Sequence, residues 1–307
     1  MNARVEHRGS LGGAEVAAIL EVAEAATEAD GVGPLNEQAL LHLRYGGDEQ
    51  IGAVLLYEGD DLVGYAHVDP ADPVEGPVGE LVVHPAFRRR GHGAHLLRAA
   101  LDRAGGRLRL WAHGGHPAAE ALARSAQFEK VRSLWRMRRP LSGDLPGFEL
   151  PEGVRLRTFE PGGSDPEAWV ALNARAFAHH PEQGAWTIED LRLRRHEPWF
   201  DPDGFFLAVR QDGPGGGDRL VGFHWTKVHD DGDHAHEPIG EVYVVGVDPD
   251  ERGGGLGRSL TLAGLEYLRS RGLGQVMLYV DESNPSAIRL YEKLGFTRWD
   301  VDVMYRR

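Results

Sequence analysis

The chain contains one pattern twice, as LVVHPAFRRRGHG at residues 81–93 and as VGVDPDERGGGLG at residues 245–257. In each copy an apolar run is followed by a proline and then by a glycine-rich turn that opens a helix. The two copies are offset by 164 residues. Because a long internal repeat reflects a repeated structural unit, the sequence predicts two halves with the same fold.

Shorter matches on both sides extend the repeat. LVGY at residues 62–65 corresponds to LVGF at residues 220–223, and Pro117 corresponds to Pro285. Each half is therefore predicted to begin with two amphipathic helices, a hairpin and a central strand. The glycine-rich turn and a long helix follow, and then a strand, a helix and a closing strand.

The hairpins are the clearest local prediction. Residues 52–57 and 61–68 are rich in apolar and aromatic side chains and flank a turn at residues 59–60. Residues 205–210 and 220–228 repeat this arrangement in the second half. Both pairs are typical of antiparallel strands joined by a turn.

The length and composition suit a two-domain globular protein. The chain has 307 residues, of which 41% are hydrophobic and 26% charged. Proline and glycine cluster near its middle, so we predict an N-terminal domain at 1–140, a linker at 141–152 and a C-terminal domain at 153–307. No apolar run reaches the ~18 residues of a membrane span. A cytoplasmic monomer is expected.

Charge and cysteine content exclude several functions. The formal net charge of −13 opposes binding to nucleic acid or anionic membranes. The chain has no cysteine, which excludes disulfides, thiolate metal sites and cysteine nucleophiles. The histidine-rich stretch at 229–237 lacks the spacing of known metal motifs, so a solvated loop is favoured and no metal is expected.

The glycine-rich turns predict a binding site for phosphate. Small residues let backbone N–H groups approach a ligand, and a helix N-terminus carries partial positive charge. The turns lack the Lys-Ser/Thr of a nucleoside triphosphate loop and the third glycine of a dinucleotide fingerprint. A purely structural strand-to-helix turn remains the alternative. Arg88, Arg89 and Arg90 are interpreted as partners for phosphate rather than as a nucleic-acid patch.

The chain resembles the Gcn5-related N-acetyltransferase superfamily, whose acyl-CoA signature is a strand followed by Arg/Gln-x-x-Gly-x-Gly/Ala. Both halves carry this signature, and NPSAIRLYEKLGF at 284–296 is similar to a second one. The resemblance implies an α/β fold with a mixed sheet, in two tandem acetyltransferase-like domains that bind acetyl-CoA. The implied CoA contacts in the first half are Leu81, Val82, Val83, Arg89, Arg90, Gly91, His92, Gly93 and Ala94. In the second half they are Val245, Gly246, Val247, Arg252, Gly253, Gly254, Gly255, Leu256, Gly257, Arg258, Asn284, Pro285, Ser286, Ala287, Ile288 and Arg289.

The resemblance also implies catalytic residues in the second half. Direct attack of an amine on a thioester needs a base, an oxyanion donor and an acid for the leaving thiolate. Glu241 is the implied base and Tyr291 the implied acid, with the backbone N–H of Gly246 or Val247 as oxyanion donor. Without the resemblance, Glu241 would read as a strand-end charge and Tyr291 as a helical aromatic residue.

The first half departs from the catalytic pattern. Pro77 corresponds to Glu241, Ala123 to Tyr291, and His116 to the CoA-contacting asparagine of the second half. The first half is therefore expected to bind a second CoA without acetylating a substrate.

Over nearly its whole length the chain is similar to one tandem branch of the superfamily, most clearly at 179–184, 222–229 and 240–249. That branch transfers acetyl from acetyl-CoA to the cysteinyl amine of a cysteinyl-glucosaminyl-inositol, the last step of mycothiol biosynthesis. The implied acceptor contacts are Glu37, Glu182, Lys227, Glu241 and Tyr279. Carboxylates suit a cationic amine, and hydrogen-bonding side chains suit sugar hydroxyls.

Other interpretations stay open. Glu37 and Glu182 also fit as helix N-terminal charges, and Lys227 and Tyr279 as cross-strand packing residues. The acceptor could instead be an aminoglycoside, a polyamine or a protein N-terminus. A module that binds CoA without turnover is the non-enzymatic alternative, against which the presence of Glu241 and Tyr291 argues.

Overall fold

The computed structural model describes residues 3–46, 51–70, 75–180, 182–211, 217–229 and 237–307. The chain forms two compact units. The first comprises residues 1–135, 281–283 and 300–307, and the second comprises residues 136–280 and 284–299. Most of the histidine-rich stretch and of the glycine-rich hairpin loop lies outside the described residues.

The first unit follows the predicted order of elements and adds a leading strand. Its strands are β1 (Ala3–Arg8), β2 (Gly52–Glu58), β3 (Asp61–Asp69), β4 (Val78–Val83) and β5 (Arg109–Ala112). Its helices are α1 (Gly13–Asp30), α2 (Glu37–Tyr45), α3 (His92–Arg103) and α4 (Pro117–Ser125). The next strand along the chain, β6 (Glu129–Pro140), is divided between the units at Arg136.

The second unit repeats this order. Its strands are β7 (Val154–Thr158), β8 (Phe205–Gln211), β9 (Asp218–His229), β10 (Ile239–Val247) and β11 (Gln275–Asp281). Its helices are α5 (Asp165–Ala176), α6 (Ile188–Arg194), α7 (Leu256–Ser270) and α8 (Pro285–Lys293). The last strand, β12 (Thr297–Arg306), is divided between the units at Asp300.

Each unit has the expected mixed sheet. The strand order is β1-β2-β3-β4-β5-β12 in the first unit and β6-β11-β10-β9-β8-β7 in the second. The pairs β4/β5 and β10/β11 are parallel, whereas the hairpins β2/β3 and β8/β9 are antiparallel. The structure thus confirms the predicted fold class and both hairpins. The strands β1 and β7 were not predicted, because each is short and rich in arginine.

The closing strands depart from the predicted plan, in which each half supplies its own. Residues 300–306 of β12 belong to the first unit, where Val303 pairs with Ala112 and Met304 with Trp111 of β5. Residues 136–140 of β6 belong to the second unit. The division into 1–140, 141–152 and 153–307 stays a prediction about domains. The compact units have other limits, because the closing strands pair with strands that are distant in the sequence.

In the core of the second unit, helices pack against both faces of the sheet. Trp169 of α5 packs edge-on against Trp225 of β9, with the ring centroids 5.7 Å apart. On the opposite face, Leu256 and Leu260 of α7 pack against Val221 of β9. The central strands therefore lie between α5 with α6 on one side and α7 on the other. In the described residues, no helix is long and apolar enough to cross a membrane.

Candidate active site

An opening between β10 and β11 marks the candidate site. The parallel pairing joins Gly240 to Val276, Glu241 to Met277 and Val242 to Leu278, and within the fully described segment 237–307 it ends there. Immediately beyond, the register of β10 against β9 shifts between Val242 and Val244. Tyr243 is therefore the extra residue of a β-bulge, a feature that bends a strand away from its neighbour.

The backbone of β10 offers hydrogen-bond donors to this opening. The N–H of Asp248 donates to the carbonyl of Val221 on β9 at 2.9 Å. Since alternate residues of a strand face the same neighbour, the N–H of Gly246 also faces β9, and those of Val245 and Val247 face the opening. Of the two residues expected to supply the oxyanion donor, the register therefore favours Val247 over Gly246.

Glu241 lies at the end of the paired stretch, directly before the bulge. It is only 5% exposed. Gly240 faces Leu268 of α7, so Glu241 points to the opposite face, toward α5 and α6. Its Oε2 atom lies 2.6 Å from Nε2 of His229 on β9. The carboxylate is thus held by a neighbouring strand and is not the solvated strand-end charge of the alternative interpretation.

Lys227 is paired with Glu241 across β9 and β10. Its Nζ atom lies 4.5 Å from the ring centroid of Trp199 and 5.2 Å from that of Tyr243. Tyr243 is in turn held by Arg194, whose Nε donates to the tyrosine hydroxyl at 2.8 Å. Cation–π contacts suit a lysine at a partly desolvated wall of aromatic rings. Lys227 was predicted from the sequence, whereas its aromatic neighbours were not.

Tyr291 lies in the short helix α8 that follows β11. The side chain of Asn284 caps this helix by accepting a hydrogen bond from the N–H of Ala287 at 3.1 Å. Tyr291 is half-buried and packs against Phe296 with the ring centroids 5.8 Å apart. Burial raises the pKa of its hydroxyl to about 12. The hydroxyl therefore keeps its proton at neutral pH.

The second glycine-rich turn presents an open helix N-terminus. Gly253 and Gly255 have φ angles of 91° and 82°, in the region that favours glycine. Gly255 is the N-cap of α7 and has no side chain to occupy the first N–H groups of the helix. Arg252 donates to the carbonyl of Ala176 at 3.0 Å. Free N–H groups at a helix N-terminus fit the pyrophosphate of acetyl-CoA.

The first unit repeats the backbone conformation of this turn, but its turn carries arginine side chains that pair with carboxylates. Gly91 is again a left-handed N-cap, and Arg89 stands with a positive φ of 66° where the second copy has a glycine. Arg88 forms a bidentate pair with Asp30 at 2.7 Å. Arg90 pairs with Glu58. Two of the three arginines expected to meet phosphate thus pair with carboxylates of their own unit, and their phosphate role stays a prediction.

The central strand of the first unit lacks the bulge. The register of β3 and β4 is continuous from Gly64/Val83 to Asp69/Val78. Because the bulge adds one residue to β10, the structural counterpart of Glu241 is Val78, not Pro77 as the constant offset suggested. The counterpart is apolar in either alignment. His116 caps α4 through the N–H of Ala118, as Asn284 caps α8.

The remaining predicted acceptor residues lie on several different elements. Glu37 is the first residue of α2 and belongs to the first unit. In the second unit, Glu182 is exposed and precedes a short 3-10 helix at Gln183–Ala185. Tyr279 is 38% exposed on β11, two residues beyond Met277. Tyr279, Lys227 and Glu241 thus come from three neighbouring strands of one sheet.

A buried polar cluster in the first unit was not predicted. His113 lies 3.1 Å from Glu80 on β4 and 3.0 Å from Asp302 on β12. The residues are 33 and 189 positions apart, so no local pattern points to them. Among the described residues, no group of histidine and acidic side chains has an arrangement suited to a metal ion.

Comparison with known proteins gives consistent matches. The profile of the acetyltransferase (GNAT) family matches residues 18–128 and 168–296. The chain is 71% identical to a mycothiol acetyltransferase of Streptosporangium roseum and 65% identical to one of Thermobispora bispora, with all of both chains covered.

Solved structures share the fold. A GCN5-related N-acetyltransferase from Sphaerobacter thermophilus is 26% identical, with a TM-score of 0.68 over 99% of this chain and 95% of that one. A tandem GNAT protein from the clavulanic acid biosynthesis pathway is 19% identical, with a TM-score of 0.72 over 99% and 98% of the chains.

Proposed function

We propose a reaction for this chain on the premise that it belongs to the acetyltransferase (GNAT) family and, within it, to the mycothiol acetyltransferases. It transfers acetyl from acetyl-CoA to the cysteinyl amine of a cysteinyl-glucosaminyl-inositol, the last step of mycothiol biosynthesis. The acceptor carries the thiol, so the lack of cysteine in the chain is compatible with this reaction. The enzyme acts as a cytoplasmic monomer in this proposal.

We assign catalysis to the second unit because of the position of Glu241. This buried carboxylate ends the paired part of β10, directly before the bulge and the opening toward β11. The N–H groups of Val245 and Val247 follow it along the same strand. A thioester carbonyl lying along this stretch would have a base at one end and hydrogen-bond donors beside it, as acyl transfer requires.

The chain's own groups perform the proton transfers. Glu241 accepts the proton that the amine loses as its nitrogen bonds to the carbonyl carbon, directly or through one water. Val247 donates its N–H to the carbonyl oxygen as that oxygen gains negative charge. Tyr291 donates its proton to the sulfur when the carbon–sulfur bond breaks, and it regains a proton from solvent. The open N-terminus of α7 holds the pyrophosphate.

The acceptor is held by residues of complementary charge and hydrogen-bonding capacity. Glu37, Glu182 and Glu241 attract the ammonium form of the amine, whereas Lys227 and Tyr279 bind sugar or inositol hydroxyls. Lys227 would repel the ammonium group, and its place over two aromatic rings fits contact with a sugar better.

The first unit binds a second CoA and has no catalytic role in this proposal. Its glycine-rich turn has the same left-handed cap before α3. Val78 and Ala123 occupy the places of the base and the acid, and neither transfers protons.

Acetyl-CoA consumption by the purified protein tests the proposed reaction. The assay compares the cysteinyl-glucosaminyl-inositol with polyamines, aminoglycosides and a peptide N-terminus. Turnover confined to the cysteinyl compound supports the proposal. Turnover with another amine alone would keep the acetyltransferase chemistry and reject the acceptor.

A further inference from the structure

The imidazole of His229 is hydrogen-bonded to the proposed base, and the proposed function gives it no role. It stands on β9 opposite Ile239, so it projects from the same face of the sheet as Lys227 and Glu241. Its Nε2 atom lies 2.6 Å from Oε2 of Glu241. The side chain of Glu241 is 7% exposed and that of His229 is 27% exposed.

The two neighbours of Glu241 on β9 behave differently. Lys227 is directly opposite the carboxylate, yet its ammonium group lies over the rings of Trp199 and Tyr243. His229 is on the diagonal and reaches the carboxylate. A carboxylate accepts, so the imidazole donates from Nε2 and the proton on that nitrogen is fixed by this bond.

A buried base needs a defined orientation as well as a proton affinity. The terminal torsion of a glutamate is broad, and one hydrogen bond to a fixed donor removes this freedom. With Oε2 engaged by His229, Oε1 is the oxygen left to accept a proton from the amine. A displacement of the base by about 1 Å is enough to lower a rate ~100-fold.

We propose that His229 is a positioning residue for acetyl transfer: it holds Oε2 of Glu241 and thereby aims Oε1 at the acceptor amine. The inference rests on the proposed function of Glu241 as the base. It predicts an effect on the rate of the chemical step and little effect on the binding of either substrate.

Two amide substitutions test how far the donor at position 229 must extend to reach Oε2 of Glu241. In His229→Gln the amide nitrogen extends to about the position of Nε2, whereas in His229→Asn it extends only to about that of Nδ1. We expect His229→Gln to keep kcat within ~3-fold of the wild type and His229→Asn to lower it ~10- to 100-fold. The KM for the acceptor should change less than ~3-fold in both variants. His196→Asn is the matched control, because the side chain of His196 is exposed and, among the described residues, is hydrogen-bonded only to the carbonyl of Arg192.

The outcomes separate this proposal from the proposed function. Loss of kcat in His229→Asn with rescue in His229→Gln, at equal thermal stability, supports it. Equal kcat in all variants overturns it, and so does equal loss in both amide variants. If the wild type acetylates only another amine, the acceptor assignment fails, and the same variants measured on that amine still decide the role of His229.

Discussion

Replacing His113 with leucine should destabilise the first unit strongly. The imidazole bridges Glu80 and Asp302, whose side chains are 1% and 5% exposed. Asp302 also accepts from the N–H of Gly114 at 2.9 Å, and Glu80 from that of Asn36 at 3.1 Å. Leucine removes the shared donor and leaves two carboxylates in a buried site. Breaking a buried ion pair in this way costs ~3–5 kcal/mol.

The effect should depend on pH in a definite direction. Burial alone would lower the pKa of His113, but its hydrogen bonds to Asp302 and Glu80 outweigh burial and raise the pKa to about 10. A histidine whose folded-state pKa lies above its ordinary value of about 6.5 stabilises the fold fully below that value. This stabilisation is lost as the pH rises through the folded-state pKa. The difference between wild type and His113→Leu should therefore shrink between about pH 7 and pH 10.

Urea unfolding followed by circular dichroism at several pH values measures this difference. Thermal unfolding gives a second measure of the same effect. A loss of ~3–5 kcal/mol would lower the melting temperature by roughly 6–20 °C for a unit of this size. His7→Leu is the matched control, since His7 lies exposed on β1 of the same unit. A cost below about 1 kcal/mol at pH 7, the level of a surface pair, would refute the reasoning. A difference that grows with pH would refute it as well.

Three further changes have defined outcomes. Tyr291→Phe should lower kcat at least ~10-fold with KM nearly unchanged, because it removes only the proton donor; steady-state kinetics at pH 7 would reveal an undiminished kcat if the assignment is wrong. Gly255→Ala should raise the KM for acetyl-CoA, since a left-handed cap disfavours Cβ by ~1–2 kcal/mol, whereas Gly91→Ala in the first unit should leave kinetics unchanged. Deleting residues 300–307 should unfold the first unit, because it removes Asp302 and the strand paired with β5; hydrogen exchange at residues 109–112 that stays as slow as in the full chain would contradict this.

The repeat predicted much of the fold because its determinants are local. Left-handed φ angles at Gly91 and Gly255 and the short turns of the hairpins depend on residues a few positions apart. These features are written in contiguous stretches of sequence, where glycine spacing and apolar alternation are visible. The helices that follow the two glycine-rich turns and the two hairpins were accordingly placed correctly.

The features that were missed depend on distant residues or on small irregularities. The pairing of Val303 with Ala112 joins segments far apart in the chain, and each closing strand has the same local pattern whichever unit it enters. The bulge at Tyr243 shifts the alignment of the two halves by one residue, so a constant offset matched Glu241 to Pro77. His229 contacts Glu241 because the two residues lie diagonally across the neighbouring strands β9 and β10. The sequence feature that could have indicated this contact is the position of His229, two residues after the predicted acceptor residue Lys227.

The contribution of residues 300–307 to the first unit also affects how that unit can be studied. A fragment of residues 1–140 lacks Asp302 and the residues of β12 that pair with β5. Its inactivity would therefore say nothing about catalysis by the first unit. Variants of the second unit in the full chain are the appropriate comparison.

Glu241→Gln in the full chain gives the most direct test of the central claim, that the second unit catalyses acetyl transfer with Glu241 as base. Glutamine keeps the size of the side chain and an oxygen that can accept from His229, but it cannot take a proton. Single-turnover transfer to the cysteinyl acceptor, with the product identified by mass spectrometry, should be at least ~100-fold slower at pH 7. The deficit should persist above about pH 9, because an α-amine of pKa ~8 that is already neutral still loses a proton as its nitrogen bonds to the carbonyl carbon. Transfer at the wild-type rate at pH 7 would contradict the assignment and would place the catalytic base elsewhere.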